Sequence, residues 1–135
     1  MSFTHTVGIT YRTAAGTITS TTDSYTSDSE INEDVQVPAT TTDKEIDVSF
    51  DPTKVKSMVL YSDKTVSLKT NAVGTDAVDS IALTAQKQVV WNSDSGSDIP
   101  FGGAGHNTPI TKFYVTNGGL VAANLKFYCL LDLTP

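Results

Sequence analysis

The chain has 135 residues, a formal net charge of −6 and 39% apolar residues, a balance that suits one globular domain with its own core. No run approaches the ~20 consecutive apolar residues of a membrane helix. The few cations stand singly, so the sequence offers neither a phosphate-tracking stripe for nucleic acid nor a basic patch for an acidic membrane.

Thr and Ser supply about a quarter of the residues, and β-branched Thr favours pleated surfaces over helices. Phe3 to Arg12 alternates Phe3, His5, Val7, Ile9 and Tyr11 with smaller residues and predicts a first strand. A break at Ala14-Ala15-Gly16 precedes a short strand around Ile18. Thr21 to Asp34 turns polar and acidic and reads as an exposed arm or loop. Ile31, Glu33, Val35 and Val37 alternate toward an edge-type strand that Pro38 ends. Glu45 to Phe50 places Ile46, Val48 and Phe50 on one side. Lys56–Ser62 and Thr65–Thr70 predict a hairpin over Asp63-Lys64. Ser80 to Trp91 is extended, with a bend or turn at Gln86-Lys87-Gln88, and Trp91 is expected in the core.

A Ser-, Gly- and Asp-rich stretch runs from Asn92 to Pro109, and loops of that length in a compact domain tend to be functional or structurally special. Thr111 to Leu133 then predicts a second hairpin with a three-residue loop at Asn117-Gly118-Gly119. That register gathers Phe113, Val115, Val121, Ala123, Leu125, Phe127, Cys129, Leu131 and Leu133 on one face. About eight strands at short spacing, with no helical periodicity between them, predict an all-β antiparallel two-sheet sandwich of jelly-roll type. One sandwich domain is expected over residues 1–135, with an extended arm or loop at 20–38 and a long loop at 92–109.

No catalytic motif is recognisable, although carboxylates are plentiful and a glycosidase needs only two of them suitably placed. Most fall in polar turns, where Asp serves turn chemistry. There is no Gly-x-Ser-x-Gly elbow, and Cys129 sits mid-strand on the apolar face, as a buried small hydrophobe would. His5 and His106 have no partner at metal-ligand spacing. Phe101-Gly-Gly-Ala-Gly-His106 lacks the Lys-Ser/Thr of a phosphate loop, and Pro109 follows where a helix would have to open. Asn92, Asp94 and Asp98 form a weak calcium candidate, without the closing Glu and flanking helices of an EF-hand; a solvated turn is the competing reading. No enzyme activity and no cofactor are expected. The start, Met-Ser-Phe-Thr-His-Thr, has neither a basic nor an apolar leader region, so synthesis in a cytoplasm without a signal peptide is expected.

What remains is surface. Tyr114, Leu120, Tyr128 and Leu130 alternate with the core set, and so much apolar area is either covered by the chain itself or is a contact. With Phe101 and Tyr25 they are the interface candidates. The stretch from Val89-Val90-Trp91 through Pro100-Phe101-Gly102-Gly103 to Thr111–Gly119 resembles small structural proteins of tailed bacteriophages, as does the ending Ala122 to Pro135. The layout in that group is Pro-Phe, strand, Asn-Gly, strand, Asp-x-Thr-Pro, and it covers about the last third of the chain. The resemblance implies a virion protein: a capsid decoration or cement subunit, or a head- or tail-associated piece. Its partners would be the major capsid protein and copies of itself, with a trimer favoured. The alternative is a glycan- or receptor-binding module of a tail fibre or adhesin, with Trp91 and Tyr25 stacking on sugar rings.

Overall fold

The computed structural model describes residues 2–133, apart from the side chains of residues 17–21. Ten strands follow one another: β1 Phe3–Thr13, β2 Gly16–Ser27, β3 Ser29–Val37, β4 Thr41–Phe50, β5 Val55–Ser62, β6 Val66–Thr70, β7 Ser80–Leu83, β8 Val89–Asn92, β9 Ile110–Asn117 and β10 Ala123–Leu131. β1 and β2 pair only with each other. The rest form two four-stranded sheets, in the orders β3-β10-β5-β8 and β4-β9-β6-β7. Every pairing is antiparallel.

From β3 onward, only the step from β6 to β7 stays within one sheet; every other connection crosses the sandwich. Eight strands interleaved in this way make a jelly roll. The all-β sandwich expected from strand spacing is therefore the fold, and β3 is an edge strand, as its ending at Pro38 suggested.

Both predicted hairpins are replaced by crossings. β9 pairs with β4 and β6, whereas β10 pairs with β3 and β5. Likewise β5 and β6 lie in opposite sheets. The physical reason is that alternation records which side of a strand meets the core, and a strand keeps that record whether its successor pairs beside it or faces it. Phe113 and Val115 look inward from one sheet, and Leu125, Phe127, Cys129 and Leu131 look inward from the other; all are buried. Val121 and Leu133, placed on the same face by the hairpin register, lie outside the strands and are 61% and 57% exposed.

Between the sheets, Phe50, Phe101, Phe113 and Phe127 form one cluster. Its ring centroids are 5.1 Å apart for Phe113–Phe127 and 5.3 Å apart for Phe50–Phe127. Such edge-on and tilted pairs each add about 0.5–1.5 kcal/mol beyond area burial. Phe101 enters from the long loop 93–109 rather than from a strand, and Ile99 is buried beside it. This loop is thus a plug for one end of the sandwich.

Asp79 holds the plug in place. Its carboxylate accepts from Gly102 N at 3.0 Å, Gly103 N at 2.9 Å and Thr70 Oγ1 at 2.8 Å. Gly102 has φ +94°, and a Cβ there would lie 2.6 Å from the His106 carbonyl carbon, so only glycine passes.

Most of Thr21 to Asp34, expected as an exposed arm or loop, belongs to β2 and β3, with a bend at Asp28 between them. β2 is laced to β1 by hydroxyl pairs, Thr4–Thr26 at 2.9 Å and Thr6–Ser24 at 3.2 Å. Cross-strand hydroxyl contacts let a run poor in apolar residues hold a ladder. The β1–β2 hairpin lies against the outer face of the β3-β10-β5-β8 sheet, touching β10 and β5.

Candidate functional site

The connections at 38–40, 63–65, 84–88 and 118–122 gather at one end of the sandwich. Thr40 N donates to Gly119 O at 3.0 Å, Asn124 N to Asp63 Oδ1 at 2.7 Å, and Gln86 N to Ser62 O at 2.9 Å. The organiser here is Asn117, 1% exposed. Its Nδ2 donates to Val37 O at 3.2 Å, Pro38 O at 3.3 Å and Val121 O at 2.9 Å, and its Oδ1 accepts from Gly119 N at 3.0 Å. A buried amide satisfied on both ends is what its environment requires. The result is a loop of fixed shape that presents Leu120, 88% exposed, beside Val121.

The other interface candidates scatter. Because β9 and β10 belong to different sheets, Tyr114 and Tyr128 lie on opposite outer faces of the sandwich and never share a surface. Tyr114 is half-buried between Glu45 and Lys69 of the neighbouring strands. Close by, Lys112 pairs with Glu45 and with Asp47, the latter at 2.8 Å, and both carboxylates push the lysine pKa upward, Asp47 more than Glu45.

Tyr128 is half-buried beneath the β1–β2 hairpin. Leu130 is fully buried on that same outer side, and Phe101 is fully buried in the aromatic cluster, so neither offers surface to a partner. Tyr25, on β2, lies near Asp94 of the long loop; burial, then the charge of Asp94, raise its pKa. The hairpin is tied to β3 where His5 Nε2 meets Glu30 Oε2 at 2.9 Å.

In the calcium candidate, Asn92 Oδ1 accepts from Asp94 N at 3.1 Å, and Asp98 faces His106 Nε2 at 3.6 Å. These oxygens close turns rather than converge. Among the described residues no three His, Cys, Asp or Glu side chains are grouped to hold a metal ion. Trp91 packs partly buried against the core, as expected, with Nε1 donating to Ser97 O at 2.9 Å.

No protein-family model and no curated protein matches the chain. Among solved structures, one of the infectious bursal disease virus Gx strain aligns with 84% of this chain at 14% identity and a TM-score of 0.31. The aligned part is 35% of that chain, so this protein spans about a third of its length.

The signal that sequence reading missed was Asn117. Asn-Gly-Gly reads as turn chemistry, and the same three residues serve a crossing when the Asn side chain turns inward. Of the exposed apolar pair beside it, Leu120 was among the interface candidates, whereas Val121 was expected in the core.

Proposed function

We propose that the chain is a non-enzymatic virion structural protein, a capsid decoration or cement subunit that works by contact, assembles as a trimer and resides on the particle after synthesis in a bacterial cytoplasm. The observation that carries this reading is Leu120, 88% exposed on a loop that Asn117 holds rigid. A rigid apolar knob loses little conformational entropy when a partner covers it, and covering one Leu contributes about 1.5–3 kcal/mol. The jelly roll supports the reading as a fold common among capsid domains, although the fold alone assigns no role. The resemblance of the last third of the chain to tailed-phage structural proteins points the same way; Thr134 and Pro135 of that ending lie outside the described residues.

The test is sedimentation velocity on the pure protein, with co-sedimentation on matched capsids. A mass above monomer, or capsid binding weakened about tenfold or more by Leu120→Asp, is the expected result. A strictly monomeric protein without capsid affinity overturns the proposal.

A further inference from the structure

The amino-terminal hairpin does not lie flush on the sheet beneath it. Between His5–Gly8 and the outer surface of β5, β8 and β10 there is a cleft of about 360 Å³, within the size range of small-ligand sites. Its walls combine the Tyr128 ring with Val59 and Val90, and its polar groups are the Ser57 hydroxyl and the amides of Asn32 and Gln88. Ser57 is 1% exposed, and its Oγ has no hydrogen-bond partner. Asn32 Nδ2 donates to Glu30 Oε1 at 3.0 Å, which fixes the amide at the cleft wall.

We propose that this cleft binds a neutral saccharide unit. The lining contains no Lys or Arg, so a phosphate, sulfate or carboxylate would enter without a counter-charge. The one ionisable imidazole, His5, already has Nε2 on Glu30. What the walls do offer are uncharged groups that both donate and accept, the pattern that sugar hydroxyls match. The tyrosine ring and the two valines suit the C–H face of a pyranose. Ser57 lines the cleft with a buried hydroxyl that has no partner; an unpaired buried hydroxyl is unfavourable unless something completes it, and a sugar oxygen reaching it would do so. The site is separate from the Leu120 knob, so sugar binding and capsid binding fail or succeed independently.

The experiment is an amide-resolved NMR titration of the full chain with glucose, galactose, mannose and N-acetylglucosamine, and with N-acetylneuraminic acid as the anionic control. At least one neutral sugar is expected to shift resonances in the His5–Gly8 segment and in β5, β8 and β10, while the acidic sugar leaves them in place. Val90→Trp fills the cleft from a position that is 38% exposed and is expected to abolish the shifts with the spectrum otherwise intact. Gln88→Ala, on an exposed turn, is expected to weaken binding about tenfold. No perturbation by any neutral sugar, perturbation that survives Val90→Trp, or an equal response to the acidic sugar overturns the assignment.

Discussion

Cys129 sits at the centre of β10, fully buried and facing Met58 across the sheet. Burial pushes its thiol pKa up to about 12. In the unfolded chain the same thiol ionises near its ordinary value of about 8.5. The raised folded value means that the neutral thiol favours the native state. This contribution is complete below about pH 8.5 and is lost as pH rises toward about 12, because the unfolded state releases its proton first. Native protein is therefore expected to resist iodoacetamide at pH 8 and to react at once in denaturant. Cys129→Ala is expected to flatten the alkaline decline in unfolding free energy while costing about 1 kcal/mol at neutral pH. Rapid alkylation of the folded protein would contradict this placement.

At the scale of elements, the crossing loop 118–122 depends on one side chain. Asn117→Ala removes three donated hydrogen bonds and one accepted one. It is expected to cost about 2–4 kcal/mol, since orphaned buried carbonyls add to the lost bonds. Urea unfolding measures the loss, and faster hydrogen exchange at Gly119 and Leu120 should localise it. A change below about 0.5 kcal/mol would mean that the loop is held by other contacts.

The elements differ in how far sequence exposed them. Strand positions and inward faces were legible wherever apolar and polar residues alternated, as in β4, β9 and β10. Pairing was not legible, because Phe113 and Phe127 keep the same inward direction as neighbours in one sheet or as opposites across two. β2 was legible only around Ile18, for another reason: the rest of its ladder rests on hydroxyl pairs such as Thr4–Thr26, which carry no hydropathy signal. Phe101 was misread because a loop context suggests surface, yet its ring completes the core. Leu120 was legible as an apolar residue beside Gly-Gly, but the rigidity that makes it a knob comes from a hydrogen-bond set visible only in three dimensions.

For the whole molecule, the β1–β2 hairpin is an added layer rather than part of the sandwich. It shares no ladder with either sheet, and Ile9 and Tyr11 toward its tip remain 51% and 62% exposed. A chain beginning at Asp28 is expected to keep a dispersed, folded spectrum. It should lose about 1.5–3 kcal/mol through exposure of Leu130, read from thermal or urea unfolding. Collapse of the truncated chain to a molten state would show that the hairpin is integral. The same truncation removes one wall of the proposed saccharide cleft and leaves the Leu120 loop untouched, so the two surfaces are separable in one variant.

The position of β10 has a consequence for the order of folding. It is the last strand of the chain, yet it lies inside its sheet, flanked by β3 and β5. Until residues 123–131 are available, β3 has no neighbour to pair with and the aromatic cluster lacks Phe127. The pairing of β3 with β10 joins segments some ninety residues apart, a separation that makes folding slow relative to proteins with local contacts. The growing polypeptide must therefore wait for residues 123–131 before it can close this sheet and complete the sandwich core. A nascent chain stalled just short of Ala123 should be fully protease-sensitive, and release past Leu131 should switch it to resistance without a stable halfway form.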